Sequence, residues 1–273
     1  MSITHQQLDS HLRKIGLTTG DVVFIHSDLR CFGLPEGKQS RHEILSFYFD
    51  VLKGIIRETG TIAVPAYFYE YARFGTPFDI DHSPVSASLG SFSQWINSLP
   101  GKRRSWNPLQ SIAAIGGQAK DLVGEEETLT GYGVTSPWHR LRQLNGKILF
   151  LGAPLQSMTF VHYIEQQYGV PHLYFKIYPF PIIKDGKALN CPISAVRYLD
   201  FSIQYDLKAY RQELIKRGVL HTTQINGALV ELVDAEAAFQ IGIDCLIRDP
   251  YFFLNSPPKF IAGKIPIDGV TGP

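Results

Sequence analysis

The stretch Lys147-Ile148-Leu149-Phe150-Leu151-Gly152-Ala153 is followed by Pro154 and then by Ser157-Met158-Thr159-Phe160-Val161-His162-Tyr163-Ile164-Glu165. The first part is a continuous apolar run and reads as a buried strand. Pro154 and Ser157 break it, and a helical pattern begins. In α/β proteins a strand, short loop and helix start is where ligands and catalytic groups gather, at the carboxyl end of the strand. On the helix, Thr159, His162 and Glu165 are spaced by three and share one face. A hydroxyl, an imidazole and a carboxylate so placed can take up a proton, hold the resulting charge and steady an oxyanion. The same residues also admit a plainer reading, a hydrogen-bonded His beside a surface Glu one turn away.

The segments before it fit the same architecture. Gln6 to Ile15 reads as a short helix, and Val22-Val23-Phe24-Ile25-His26 as a buried strand that delivers Ser27 and Asp28 at its carboxyl end. Ser40 with Glu43 is a capping box, and the helix behind it carries Ile44, Tyr48, Val51, Leu52 and Ile55 on one face. Thr61-Ile62-Ala63-Val64-Pro65-Ala66 is the next strand. Strand, helix, strand is the pattern of a right-handed parallel crossover. An aromatic-rich loop from Tyr67 to Pro84 is long enough to suggest a purpose of its own. A helix through Leu89, Phe92, Ile96 and Leu99, a strand through Ile115 and a helix from Pro137 to Leu144 follow.

From Tyr174 the texture becomes β-rich. Tyr174 to Tyr178 and Ile182-Ile183, with a turn at Asp185-Gly186, read as antiparallel strands. Asn226-Gly227 between two apolar runs is a hairpin signal. A helix from Asp206 to Arg217 and a last one capped by Asp234 complete the chain. The expectation is a single domain over 1–273, with 174–233 a β-rich subdomain within it.

Composition narrows the function. Of 273 residues, 44% are hydrophobic and 19% charged, and the net charge is +1. Those values describe an ordinary soluble globular protein and argue against a nucleic-acid-binding face. No apolar run reaches the length of a membrane span, and the first residues lack the basic and apolar regions of a signal peptide. Cys31, Cys191 and Cys245 are few, odd in number and far apart, which fits reduced thiols in a cytoplasm. No Cys-x-x-Cys or His-x-His spacing points to a metal. Phosphate-cradling glycine loops and a Gly-x-Ser-x-Gly elbow are also missing. Arg103, Arg104, Ser105 and Ser111 make a basic, hydroxyl-bearing loop that suits phosphates, or else a solvated turn. Ser27 could donate to a ligand or cap a helix, and Glu125-Glu126-Glu127 is either a solvated face or an acidic rim.

Several segments, in order, are similar to the aminoglycoside 3-N-acetyltransferase family of antibiotic N-acetyltransferases, which differ in fold from the GNAT acetyltransferases. They are Gly20-Asp21 with Phe24-Ile25-His26-Ser27 and Gly33, Gly60-Thr61 with Val64-Pro65, and Arg104-Ser105-x-Asn107-Pro108-x-x-Ser111. Tyr132-Gly133-x-x-Ser136-Pro137, Thr159-x-x-His162-x-x-Glu165 and Asp249-Pro250 with Phe253-Leu254 complete the set. The resemblance runs from about Gly20 to Leu254. It implies an α/β fold of this family's type, with a central mixed sheet flanked by helices. It also implies acetyl-CoA as co-substrate, no metal, and direct transfer of the acetyl group to the amine of an amino sugar. By similarity His162 is the general base, Glu165 orients it or balances its charge, and Thr159 lies near the thioester. Ser27, Arg104, Ser105 and Ser111 lie toward the coenzyme.

Asn107 stands where the family has His, so any role of that imidazole is absent or supplied elsewhere. Enzymes that bind polycationic aminoglycosides are expected to present an acidic cleft, whereas this chain is near neutral. That favours an acceptor with fewer positive charges, such as a nucleotide-linked or polysaccharide-precursor amino sugar. Two other classes stand beside this one: a hydrolase or amidase using His162 with an activated water, and a non-catalytic binding homologue.

Overall fold

In a computed structural model, residues 2–125, 127, 130–198 and 201–263 are described. Helix α1 (His5–Lys14) opens the chain, and strand β1 (Val22–Ser27) leads to α2 (Arg41–Ile56) and β2 (Thr61–Pro65). The capping box at Ser40 and Glu43 is present in both directions. The segment after β2 carries α3 (Glu70–Phe74) and a short β3 (Phe78–Asp79). It is followed by α4 (Gly90–Ser98), β4 (Arg103–Arg104), β5 (Ile112–Gly116), α5 (Ala119–Val123) and α6 (Pro137–Gln143). Next come β6 (Lys147–Leu151), α7 (Phe160–Tyr168), β7 (Leu173–Ile177), β8 (Ile182–Lys184), β9 (Lys187–Leu189) and β10 (Ile193–Arg197). The chain ends in α8 (Lys208–Lys216), β11 (His221–Ile225), β12 (Ala228–Asp234) and α9 (Ala235–Arg248).

The central sheet has seven strands in the order β11-β12-β6-β1-β2-β5-β4. Its middle is parallel: β1 pairs with β2 and with β6 in the same direction. β12, β5 and the two edge strands run antiparallel to their neighbours, so the sheet is mixed. Buried on both faces, the middle strands read as apolar runs rather than alternating ones. Val23, Ile25, Val64 and Leu149 pack on the side of α1 and α2. Phe24, Ala63, Ile148 and Phe150 pack on the side of α6, α7 and α9.

The strands of the segment expected to form one β-rich subdomain, 174–233, divide among three sheets. β11 and β12 form the Asn226-Gly227 hairpin and extend the central sheet through β6. β8 and β9 form a hairpin at Asp185-Gly186 whose β8 pairs with β3, and β7 pairs with β10 rather than with β8. Local turn chemistry fixes the two hairpins. Burial decides their partners, because Val230 and Leu232 need the apolar face that Leu149 and Leu151 provide. Asp234 sits at the cap of α9, but its side chain makes no capping bond. The C-terminal stretch packs on its own chain: Phe253 and Leu254 are buried, the Lys259 N–H donates to the Phe201 carbonyl and Phe260 lies against the Phe201 ring.

The parallel strands β1, β2 and β6 end at the same edge, and the segments that leave them converge there. The turn after β6 depends on Gly152, which has φ +76° and lies against the Asp28 carbonyl. A Cβ at this position would sit 2.5 Å from that oxygen and 2.5 Å from Cys31 Sγ. Gly152→Ala is therefore expected to lower stability by about 2 kcal/mol or more, read from urea unfolding midpoints.

Candidate active site

α7 places the Thr159-x-x-His162-x-x-Glu165 face against the end of the sheet. Thr159 precedes the helix, and its side chain makes no capping bond. Its backbone N–H instead points at His26 Nε2 of β1, at 3.4 Å. Burial pushes the His26 imidazole down to about 3, so the ring is neutral and can accept. His26 also stacks on Phe150 of β6, with centroids 5.4 Å apart. The first turn of α7 is thus tied to both β1 and β6.

Glu165 is fully buried and His162 is 30% exposed at its side chain. His162 Nδ1 lies 2.8 Å from Glu165 Oε2. The Tyr205 hydroxyl donates to the same oxygen at 2.9 Å, and His172 Nε2 lies 2.8 Å from Oε1. Burial pushes the Glu165 carboxyl up, but the bonds to His162 and His172 outweigh it, and the group stays below its ordinary value. Burial and the adjacent carboxylate push the Tyr205 phenol well up, so it remains a donor. An ionised Glu165 requires a hydrogen on His162 Nδ1. That leaves the Nε2 lone pair for the cavity.

The cavity beside His162 has a volume of about 550 Å³. Tyr67, Tyr69, Tyr132 and Tyr205 give it aromatic walls, and Thr159 and His162 supply its reactive edge. No carboxylate side chain is among the described residues that line it, and Arg197 is its one formally charged liner. Among the described residues no cluster could hold a metal ion.

The structure brings Thr159, His162 and Glu165 together at one site. Ser27 is half-buried at the carboxyl end of β1. Asp28, not Ser27, caps the short helical turn that follows. Arg104, Ser105 and Ser111 are placed differently from the expectation that they face the coenzyme. Arg104 is 4% exposed and donates to the carbonyls of Ala66, Ser83 and Pro84. Its guanidinium also lies over the Phe78 ring. Ser105 accepts from the Ile112 N–H at 3.0 Å, and Ser111 donates to the Ala66 carbonyl at 2.5 Å. The physical reason is the long loop after β2. It is folded inward, and its buried carbonyls take the donors that would otherwise serve a phosphate.

Asn107 has work within the fold as well. Its side-chain oxygen accepts from the Leu109 N–H, and its amide donates to Ser194 of β10. In the acidic run, Glu125 pairs with Lys120 and Glu127 accepts from Asn190, while Glu126 lies outside the described residues. His172, Tyr205 and Arg197 were not singled out by sequence. The one local signal for His172 is Gly169, which ends α7 in a left-handed conformation and turns the chain back.

A second groove, of about 470 Å³, lies over the loop after β1 and the start of α2. Leu29, Leu34 and Ile44 give it an apolar wall, and Arg30 and Arg41 its charge. Arg30 is held by both oxygens of Asp28, and Arg41 donates to Gln94.

Residues 24–247 match the aminoglycoside 3-N-acetyltransferase family. The chain belongs to this family. Aminoglycoside N(3)-acetyltransferase III from a Salmonella species is 30% identical over 200 residues, which are 67% of this chain and 68% of that protein. Copies of the type III enzyme from Enterobacter cloacae and Acinetobacter baumannii are matched over 66% of their length. Aminoglycoside N(3)-acetyltransferase IV from a Salmonella species is 27% identical over 92% of this chain and 90% of its own. Among solved structures, AAC-VIa bound to sisomicin is 25% identical, with a TM-score of 0.76 over 90% of this chain and 98% of that one. AAC-IIIb in binary complex with CoASH is 24% identical and shares the fold, with a TM-score of 0.77 over 94% of this chain and all of that one. The family is one of acetyl-CoA-dependent N-acyltransferases, with acetyl-CoA as co-substrate and the expected α/β fold.

A neutral His26 also predicts a pH dependence of stability. Its ordinary value is 6.5 and its folded value about 3. The unfolded chain therefore takes up this proton first as pH falls. Stability is lost from about pH 6.5 down to about 3, at up to about 1.4 kcal/mol per pH unit from this group. His26→Gln is expected to show a shallower slope over that range, measured by urea unfolding at a series of pH values.

Proposed function

We propose that this chain transfers the acetyl group of acetyl-CoA directly to the amine of an amino sugar, with His162 as general base. The observation that carries this reading is the one-sided pairing of His162. Its Nδ1 is held on the buried Glu165 while the ring borders the cavity. His162 Nε2 removes a proton from the substrate ammonium, and the free amine attacks the thioester carbon. The C–N bond forms and the C–S bond breaks. The His162 proton passes to the thiol sulfur as it leaves, the second proton of the attacking nitrogen goes to solvent as the amide forms, and no acyl-enzyme is needed. The Thr159 hydroxyl is positioned to donate to the thioester oxygen as charge develops on it. The coenzyme is assigned to Ser27 and to the groove of Arg30 and Arg41.

For the acceptor, the proposal is an amino sugar with fewer positive charges than a polycationic aminoglycoside, linked to a nucleotide or to a polysaccharide precursor. The support is electrostatic. A cleft for a polycation is expected to collect carboxylates. The described lining here holds tyrosines and Arg197, and Arg197 is exposed. Tyrosine walls suit a sugar ring or a base, and a guanidinium suits a phosphate.

Thiol release from acetyl-CoA, measured across aminoglycosides and nucleotide-linked amino sugars, tests both parts. Turnover with the nucleotide sugars and little with aminoglycosides is the expected outcome. Strong acetylation of several aminoglycosides would overturn the acceptor assignment. His162→Ala is expected to lower kcat by roughly a hundredfold to ten-thousandfold with CoA affinity kept. Arg197→Ala is expected to raise KM about tenfold for phosphate-bearing acceptors alone.

A further inference from the structure

β7 and β10 form a two-stranded sheet beside the cavity, and its register lays out one face in order. Side chains alternate along a strand, and directly opposed residues share a face. Leu173, Phe175 and Ile177 of β7 therefore stand on the same face as their partners Arg197, Ala195 and Ile193 of β10. At one end of this face Leu173, Ala195 and Arg197 line the cavity. Beyond that lining the face stays apolar. Phe175 is 61% exposed and Ile177 57%, and Ile193 opposite Ile177 is half-buried. The other face of the sheet is covered: Ser194 is buried against Asn107, and Lys176 lies over the Tyr178 ring. Large apolar side chains ranged in one line out of a cavity mark a binding surface, unlike apolar residues exposed singly. Four residues of strand, from Arg197 to Ile193, cover about 13 Å. Arg197 stands where strip and cavity meet, and one of its nitrogens donates to the Ile203 carbonyl, which holds the guanidinium in place. The order outward is aromatic walls, a cation, then an apolar strip.

We infer that the Phe175 and Ile177 strip of β7 binds an apolar tail carried by the acceptor. The amino sugar lies among the tyrosines, a phosphate lies on Arg197, and a hydrocarbon chain follows Leu173, Phe175 and Ile177. The acceptor class is then a lipid-linked amino sugar phosphate. The inference rests on the acceptor reading above and goes further by choosing the carrier. The side chains of the strip offer a nucleoside no hydrogen bonds, whereas a hydrocarbon chain gains by leaving water. Nucleotide-linked amino sugars remain substrates of the cavity but forgo the strip. A second copy of the chain is the other way to cover such a surface. Continuity with the cavity, and a cation at the junction, favour the acceptor.

The test compares the methyl and decyl phosphodiesters of glucosamine, each at the anomeric carbon, below the micellar concentration of the decyl compound. Binding is measured by calorimetry, and thiol release from acetyl-CoA in parallel. The decyl compound is expected to bind roughly tenfold or more tightly, and to lower KM by the same factor with kcat unchanged. In Phe175→Ser/Ile177→Ser the ratio between the two compounds is expected to fall to about twofold. Arg197→Ala is expected to weaken both compounds alike, which leaves their ratio in place. Phe175 and Ile177 are exposed, so the double variant is expected to fold and to sediment as the wild type does. The inference is overturned if the two compounds bind equally or not at all, or if the double variant keeps the full ratio. It is also overturned if the double variant turns a dimer into a monomer, which would make the strip a subunit interface. Calorimetry needs no turnover. A tight decyl compound with no acetyl transfer to any amine would defeat the catalytic reading and leave the strip assigned. Equal binding with brisk transfer to both compounds would do the reverse.

Discussion

A carboxylate with no access to solvent sits at the centre of this protein. A buried, ionised Glu165 is tolerated only if its oxygens are satisfied, since an unpaired buried charge costs several kcal/mol. Three donors meet that demand, and each comes from a different piece of chain. His162 is on α7 itself, His172 lies past the reversal at Gly169, and Tyr205 is in the segment before α8. The carboxylate thus ties the placement of those segments together. The ties reach the sheet through the Thr159 N–H on His26 and through the Gly152 turn against Asp28. The same contacts that make the charge tolerable also orient the imidazole toward the cavity.

How much of this was legible depended on distance along the chain. Thr159, His162 and Glu165 share a face by local geometry, and the apolar run before them marked the strand end. His172 is seven residues beyond Glu165 and Tyr205 forty, so no local periodicity links them. Arg104, Ser105 and Ser111 have the chemistry of ligand-binding groups, but the long loop after β2 folds inward and claims them. The hairpin at Asn226-Gly227 announced itself by its turn. Its place on the central sheet was set by a tertiary match of apolar faces.

The chain belongs to the aminoglycoside 3-N-acetyltransferase family. The cavity is bounded by aromatic rings and hydroxyls, with its formal charge on Arg197. Cysteines do not enter the account. Cys245 is buried, and the Cys31 thiol is held by the Asp28 carbonyl, with burial pushing its pKa up. Asn107 serves the turn at Leu109 and the link to Ser194.

The hold of Glu165 on the His162 tautomer is tested most directly by the rate of acetyl transfer in Glu165→Gln, at fixed pH and with one productive acceptor. An amide keeps the shape of the side chain, but it can donate to His162 Nδ1 and favour the tautomer whose Nε2 carries a hydrogen. That ring cannot accept a proton from the amine. A loss in kcat of roughly a hundredfold to ten-thousandfold is expected, with CoA affinity and the folded state kept. A rate within about threefold of the wild type, a difference worth less than 1 kcal/mol, would contradict it.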